Sequence, residues 1–350
     1  MTDPSTWSCP LPLADQPVIT MAHGGGGQRS ADLVEHLFLP AFGPAAAGAA
    51  LTDAAVVELG PGRVACTTDS YVVQPLFFPG GDIGTLAING TVNDLAMVGA
   101  RPRVLTTAFV LEEGLELAVL DRIARSMGRA AAAADVRLLA GDTKVIERSS
   151  GDGLYITTSG IGTVDPDITL EPAQIQPGDR ILVSGPIGRH GVAVLSRREG
   201  LEFGTTIESD CAPLHDLVQT LLAGGTTTRA LRDLTRGGLA TALCELAETA
   251  SVGIEFDEAL VPVPEPVRAA CGFLGLDPLV VANEGTMVAF VAPSDAEHAL
   301  ATMHAHHRGR GAAIIGEVVA ENPGSVVART ALGGRRVVLR PLGEQLPRIC

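Results

Sequence analysis

The chain has 350 residues, a formal net charge of −15 and a hydrophobic content of 46%. The negative charge argues against nucleic acid and anionic membrane surfaces as partners, because both would repel it, and no apolar run is long enough to span a bilayer. The six cysteines are scattered without a CxxC pair. This argues against a zinc ribbon or a disulfide framework and predicts a cytoplasmic protein with reduced thiols.

The length of the chain predicts two domains, or one large one. We place an irregular arm at residues 1–20, an N-terminal domain at 21–170, a C-terminal domain at 171–341 and a mobile tail at 342–350. The tail contains Gly343 and Pro347 and follows Pro341, so we expect it to be extended.

Four glycines at residues 24–27, which include Gly25 and Gly26, precede a helical pattern at 31–39. Such a loop can wrap backbone N–H groups around a phosphate, with the helix dipole assisting. A surface loop is the alternative, because the motif is neither GxGxxG nor a Walker loop. The neighbouring His23 is typical of an ordinary loop histidine.

The stretch 67–102 places several carboxylate and amide side chains on one predicted strand and helix. A predicted strand ends at Asp69, and a helix is predicted over residues 83–98. On that helix Asp82, Asn89 and Asn93 fall on one stripe, with Asp94 beside it. Carboxylate and amide oxygens in this arrangement suit Mg²⁺ that carries nucleotide phosphates. A strand followed by an amphipathic helix with solvated polar residues is an equally consistent alternative.

A strand at 104–110, a helix at 115–134 and a strand at 136–140 follow. The sequence GDTK then places Asp142 and Lys144 at a predicted strand tip. This pair can bind Mg²⁺ and a phosphate together, or form a surface salt bridge. A further strand is predicted at 154–163.

The second domain contains two candidate positions. Asp233 lies in a glycine loop before the helix predicted at 239–250, and Glu284 interrupts an apolar β-type run at 280–290. A carboxylate inside such a run is costly to bury, so the pattern predicts a bulge or a site. An edge-strand glutamate is the alternative.

The chain ends in Cys350. The eight residues beyond Leu342 reach about 26–29 Å when extended. A thiol on such a tether can enter a site elsewhere on the chain or on a partner, although a terminal cysteine is often incidental.

Together these residues resemble a known group. TTDS around Asp69, NDLAMVGARP, GDTK, DLTRGG and ANEG resemble the PurM-like ATP-binding superfamily. The longer match QPLFFPGGDIGTLAINGTVNDLA, with AGDTKV and the terminal PRIC, resembles more narrowly the HypE family of hydrogenase maturation carbamoyl dehydratases. The resemblance implies a mixed α/β fold of two domains, the first forming a β-barrel across a homodimer and the second an α/β domain.

The resemblance also implies a reaction. ATP-dependent dehydration would convert an S-carbamoyl group on Cys350 to a thiocyanate, which supplies the cyanide ligand of [NiFe] hydrogenase iron. A maturation carbamoyltransferase (HypF) would be the carbamoyl donor and a HypC–HypD scaffold the cyanide acceptor. ATP and Mg²⁺ would be bound by the following residues: Asp69, Asp94, Asp142 and Asp233 as metal and phosphate carboxylates, with Asn93, Gly25 and Gly26 near the nucleotide. Glu284 and Lys144 would act on the carbamoyl protons.

Two alternatives remain open at this stage. One is another PurM-like synthetase or kinase with a diffusible substrate, which would not need Cys350. The other is a non-catalytic, ATP-gated maturation adaptor, which would not need Glu284. The sequence also departs from the family at Asn89, where relatives often carry cysteine, so the resemblance supports no redox function at this position.

Overall fold

The computed structural model describes residues 17–20, 23, 32–46, 62–201, 205–330, 332–341, 346 and 348–350. Three sequence predictions lie wholly or mostly outside these residues: the glycine loop with Gly25 and Gly26, the N-terminal arm and the C-terminal tail. In the part of the chain that is described, no helix has the length and apolar character needed to cross a membrane.

The N-terminal half alternates helices with strands. A short helical segment starts at Val34 and runs into helix α1, Leu39–Phe42. The elements that follow are β1 (Arg63–Tyr71), β2 (Phe77–Phe78), β3 (Gly81–Asp82), α2 (Ile83–Met97), β4 (Arg101–Glu112), α3 (Leu117–Ala133), β5 (Arg137–Ile146) and β6 (Leu154–Val164). The predicted order of elements is confirmed.

The four long strands form one sheet in the order β1-β6-β4-β5, and β2 pairs only with β3. β4 and β5 are parallel, whereas the other neighbours are antiparallel. Buried and half-buried residues alternate along β6, as expected for a sheet with one face covered by helices. Among the described residues, one chain thus supplies an open sheet bordered by β1 and β5, and the barrel expected across a homodimer would require a second copy.

Helix α2 begins at a capped residue and is buried on nearly all sides. Asp82 Oδ1 accepts the backbone N–H of Thr85 at 2.9 Å, and Thr85 Oγ1 accepts the N–H of Asp82, which completes a capping box. The alternative of a helix with solvated polar residues is wrong, because Asn89 and Asn93 are buried. Strand β1, helix α3 and the C-terminal half together cover the helix.

The C-terminal half is built on a seven-stranded sheet. Its elements are β7 (Arg180–Val183), α4 (Arg189–Glu199), α5 (His215–Ala223), β8 (Thr228–Asp233), α6 (Gly238–Ala250), β9 (Gly253–Asp257), α7 (Glu265–Leu274), β10 (Met287–Val291), α8 (Ala296–Ala305), β11 (Ala313–Val319), β12 (Val326–Arg329) and β13 (Arg335–Val338). The strand order is β13-β12-β9-β11-β7-β10-β8. The mixed α/β fold class predicted from the sequence is confirmed.

Two local predictions are wrong. GDTK does not end its strand, because β5 continues to Ile146 and keeps its pairing with β4 throughout. Residues 280–290 do not form two strand pieces, since Pro278–Val280 is a 3₁₀ turn and only β10 is a strand. Glu284 therefore lies in a buried loop, and the edge-strand alternative is wrong as well.

The two halves share hydrophobic packing. Ala96 and Met97, at the end of α2, pack with Leu214 and Leu217 of the C-terminal half. In the opposite direction, Ala282 packs into the core of the N-terminal half. Residues near Asn93 and Glu284 therefore lie at the junction between the halves.

Candidate active site

Three of the predicted carboxylates gather at this junction. Asp69 stands near the end of β1, Asp94 on α2 and Asp233 at the end of β8. Thr67 Oγ1 donates to Asp94 Oδ2 at 2.9 Å. Burial raises the pKa of Asp233 to about 7, and the Asp94 and Asp69 carboxylates act in the same direction. Burial likewise raises the pKa of Asp94, with Asp69 contributing. Mutual repulsion of this kind is relieved by a cation.

Glu284 is the fourth acid at this junction and is buried. Burial raises its pKa well above the usual range, and Asp233 and Asp210 add to the shift. Its side chain is 3% exposed, and its Oε1 has no hydrogen-bond partner among the described residues. A buried acceptor without a donor suggests that the group which satisfies it arrives with a substrate.

Asn93 joins the two halves. Its Nδ2 donates to the carbonyl oxygens of Ala212 at 3.1 Å and Glu284 at 3.4 Å, and its Oδ1 accepts the N–H of Leu214 at 2.7 Å. The side chain is thus engaged with the backbone that carries Glu284. A direct contact between Asn93 and a nucleotide stays a prediction.

Asp142 and Lys144 lie apart from the cluster within one chain. Their side chains are about two-thirds exposed and form a 3.6 Å ion pair in the middle of β5. The strand register connects Asp69 with Thr158, Thr107 and then Gly141, so three strand spacings, roughly 14 Å, separate Asp69 from this part of β5. A shared site for all these residues therefore stays a prediction.

The end of the tail is docked. Ile349 forms an antiparallel bridge with Val73, and Gln74 N–H donates to the Arg348 carbonyl at 3.1 Å. Arg198 donates to the carbonyl oxygens of Arg348 at 2.6 Å and Gln74 at 2.7 Å. Ile349 is buried, and the half-buried Cys350 packs against the N-terminal core. Arg348 has a φ of 56° and is therefore not extended, and the structure describes only residues 346 and 348–350 of the tail, so its extension and its mobility stay predictions.

Sequence reasoning missed Asp210. Its carboxylate accepts the backbone N–H groups of Glu284 at 3.1 Å and Gly285 at 3.0 Å, and the hydroxyl of Thr286 at 2.9 Å. These hydrogen bonds fix the loop that carries Glu284. Asp210 lies 74 residues from Glu284 in a stretch without periodicity, so no local signal indicates it.

Asn89 and Cys211 form a second buried contact near Glu284. Asn89 Nδ2 donates to Cys211 Sγ at 3.6 Å, and Asn89 Oδ1 has no hydrogen-bond partner in the described part of the chain. Burial raises the pKa of the Cys211 thiol, and Glu284 is the next cause of the shift. Cys211 is therefore a neutral thiol, and a second unsatisfied acceptor lies in the neighbourhood of Glu284.

The carboxylates fit a magnesium ion that is bound together with phosphates. Within the described residues, no three acidic, cysteine or histidine side chains are close enough to hold a metal by themselves. Mg²⁺ usually takes only one or two carboxylates and completes its shell with phosphate oxygens and water. Asp69, Asp94 and Asp233 suit such a site, and the raised pKa values of Asp94 and Asp233 are consistent with a place for a cation.

Two family models match the chain. Residues 51–164 match "AIR synthase related protein, N-terminal domain", and residues 176–329 match "AIR synthase related protein, C-terminal domain". Thiamine-monophosphate kinase from Stenotrophomonas maltophilia, which is 20% identical with a TM-score of 0.57, shares the fold.

Closer relatives are dehydratases of hydrogenase maturation. The chain is 53% identical to carbamoyl dehydratase HypE of Azotobacter vinelandii over 95% of this chain and 97% of the relative, and 45% identical to that of Escherichia coli over 95% and 99%. A crystal structure of HypE in complex with ATP has a TM-score of 0.90 at 46% identity and covers 94% of this chain and 99% of that one. A HypE–HypF complex gives a TM-score of 0.77 at 48% identity, over 79% and 90%. The chain therefore belongs to the carbamoyl dehydratase HypE family.

Proposed function

We propose that this chain dehydrates an S-carbamoyl group on its own Cys350 to a thiocyanate at the expense of ATP. The thiocyanate would supply the cyanide ligand for the iron of [NiFe] hydrogenase. One observation carries the proposal: the tail that ends in Cys350 is docked beside a junction where the buried Glu284 presents an unsatisfied oxygen. The family relation supports it, since relatives are named carbamoyl dehydratase and one was solved with ATP.

The first half of the reaction is phosphoryl transfer. The carbamoyl oxygen attacks the γ-phosphate of ATP, so a C–O–P linkage forms, ADP leaves and one amide proton is lost. Such transfer depends on positioning and charge neutralisation more than on covalent help. Mg²⁺ would neutralise the phosphate charge when bound. Asp69, Asp94 and Asp233 would hold it, with Asp142 added by resemblance alone.

The second half removes phosphate and the remaining amide proton to leave the C≡N triple bond. A carbamoyl group offers two N–H donors, and the junction offers two buried acceptors without partners, Glu284 Oε1 and Asn89 Oδ1. Glu284, whose pKa is raised by burial, is the stronger base of the two and takes a proton. Lys144 is proposed by resemblance to orient the amide oxygen, from a position on the far edge of the sheet in one chain.

The partners follow from the same family. We propose a homodimer in which the N-terminal sheets close a barrel, HypF as the carbamoyl donor and a HypC–HypD complex as the cyanide acceptor. A relative solved together with HypF supports HypF as a partner. The cytoplasm is the proposed location, in line with the cysteine content.

Mass spectrometry of the C-terminal peptide tests the function. After incubation with HypF, carbamoyl phosphate and ATP, we expect a carbamoyl adduct on Cys350 that then loses one water. An ATP analogue with a non-transferable γ-phosphate should stop the loss of water, and Cys350→Ala should abolish the adduct. ATP consumption without any adduct on Cys350 would instead indicate a diffusible substrate.

A further inference from the structure

A buried histidine contacts the backbone directly before Cys350. His190, near the start of α4, is completely buried. Its Nε2 lies 2.8 Å from the carbonyl oxygen of Ile349, and its Nδ1 lies 2.8 Å from Ser209 Oγ. The ring also meets Phe78 edge to face, with 5.3 Å between the ring centroids. The imidazole thus has little freedom to turn away from the tail.

These contacts, together with the burial of the ring, assign the tautomer of His190. A carbonyl oxygen only accepts, so Nε2 carries the hydrogen and donates it to Ile349. Burial lowers the pKa of His190, so the ring is neutral at pH 7 and Nδ1 accepts the Ser209 hydroxyl hydrogen. Ser209 Oγ in turn accepts the backbone N–H of Cys211 at 3.0 Å. The result is a directed chain of hydrogen bonds from Cys211 to the tail.

The same three-residue segment also holds the proposed base. Asp210, between Ser209 and Cys211, accepts the backbone N–H groups of Glu284 and Gly285. One face of the segment Ser209–Cys211 therefore fixes the Glu284 loop, and the other fixes, through His190, the last peptide carbonyl of the tail.

We propose that His190 is a positioning residue for the dehydration step, and that the segment Ser209–Cys211 couples its hold on the Ile349 carbonyl to the position of Glu284. The inference rests on the proposed function. It gives His190 a part in placing the carbamoyl group against its base, without contact to the reacting atoms.

Arg198 serves as a comparison within the same tail contact. It binds the carbonyl of Arg348, one residue further from Cys350, and its donors are exposed. Arg198 can thus anchor the tail at the carbonyl groups of Arg348 and Gln74. Among the described tail contacts, the histidine alone reaches the peptide next to Cys350 and the segment that holds the base.

The test compares His190→Phe, which removes both hydrogen bonds, with His190→Gln, whose side-chain amide N–H₂ can still reach the Ile349 carbonyl. His215→Gln is the matched control, because His215 is also buried but pairs with Asp216 on α5. Three quantities are measured: the alkylation rate of Cys350 relative to denatured protein, the single-turnover rate of water loss from carbamoylated Cys350, and the melting temperature.

We expect His190→Phe to alkylate several-fold faster at Cys350 and to lose water roughly tenfold or more slowly, because a small displacement of a reacting group is costly. Carbamoylation by HypF should be unchanged. His190→Gln should recover part of both rates, and Ser209→Ala should lie between the two. His215→Gln should match the unsubstituted chain in alkylation and dehydration.

Unchanged rates of alkylation and water loss in a folded His190→Phe variant would overturn the inference. So would equal defects in His190→Phe and His190→Gln, since these would indicate a packing role. If His190→Phe does not fold, Ser209→Ala and His190→Gln are compared with the unsubstituted chain instead. Unchanged rates of alkylation and water loss in both variants would then overturn the inference. Failure of the unsubstituted chain to dehydrate carbamoyl-Cys350 would reject the proposed function, while the alkylation rates would still report whether His190 holds the tail.

Discussion

Glu284 is a buried carboxyl group, and its burial makes the ionised form unfavourable. Burial and the neighbouring Asp233 and Asp210 carboxylates raise its pKa, so in the folded chain it binds a proton more strongly than in the unfolded chain. Folding is then penalised as the pH rises above the ordinary range of a glutamate. A residue kept under such a penalty, with one oxygen unsatisfied, is more easily explained by chemistry than by stability.

Glu284→Gln should therefore separate activity from stability. The glutamine keeps the shape of the side chain but is not a base, so we expect dehydration of carbamoyl-Cys350 to fall by about 10²-fold or more. Because the ionisation penalty is removed, the free energy of unfolding at pH 7 should be equal or higher. Single-turnover mass spectrometry and urea unfolding measure the two quantities.

Glu245→Gln provides the control for this substitution. Glu245 lies on α6 and forms an ion pair with Arg232, so its replacement should leave dehydration unchanged. A Glu284→Gln chain that dehydrates at the normal rate would remove Glu284 from the mechanism, whereas ATP binding without any dehydration by the unsubstituted chain would favour the adaptor alternative.

At the scale of the elements, α2 lies unusually close to β1. A Cβ added at Gly90 would collide with the hydroxyl of Tyr71 and come within 3.1 Å of its ring carbons. Tyr71 is itself almost fully buried. Because Gly90 has no side chain, α2 can pack directly against β1. The helix thereby carries Asn89, Asn93 and Asp94 next to the strand that contains Asp69.

Gly90→Ala should lower the free energy of unfolding by about 1–3 kcal/mol, because the core has no room for the methyl group. Tyr71→Phe removes the colliding oxygen and should cost about 1 kcal/mol alone, from loss of its hydrogen bond to Thr91. The double variant should be more stable than the sum of the single effects indicates. Urea unfolding of all four chains gives the coupling energy.

Gly272→Ala tests whether the effect is specific to the contact. Gly272 is an exposed glycine in α7, and an added Cβ would have no atom within 4 Å. We expect this variant to be more stable by about 0.5–1 kcal/mol, from helix propensity. A Gly90→Ala chain with similar behaviour would show that α2 can move away from β1 without cost.

Local sequence patterns predicted the helices and strands but not the contacts between segments that are distant in the chain. Helix α2 was predictable from its hydrophobic period, although Asp82, expected on its polar stripe, instead caps its N-terminus. The continuation of β5 through GDTK was not, since strand length here is decided by pairing with β4. Asp210 and His190 were also missed, because each acts on a segment far away in the chain. The function was predictable mainly from family motifs.

At the scale of the whole molecule, the candidate site belongs to neither half alone. Asp69 and Asp94 come from the N-terminal half, whereas Asp233 and Glu284 come from the C-terminal half. Asn93 and the shared hydrophobic packing hold the halves together at this point. Because both halves contribute charged groups, we expect the carboxylate cluster to be lost if either half is expressed by itself.

Asp142 and Lys144 raise the question of a second chain. Both lie on β5, which borders the described part of the sheet, roughly 14 Å from Asp69 on β1 at its opposite border. If the two-fold axis of the proposed homodimer runs along the barrel, β5 of one protomer lies beside β1 of its partner. In this arrangement Lys144 completes the site of the other protomer.

Mixed dimers of Asp69→Asn and Lys144→Ala test this arrangement. When each variant carries a different affinity tag, the mixed dimer can be purified, and it contains one site with both defects and one intact site. We therefore expect about half of the unsubstituted dehydration rate, although each variant alone is impaired.

The control for this experiment pairs Asp69→Asn with Asp233→Asn. Both carboxylates belong to the cluster of one chain, so this dimer has no intact site and should stay inactive. A mixed dimer of Asp69→Asn and Lys144→Ala that also stays inactive would place Lys144 in the site of its own chain.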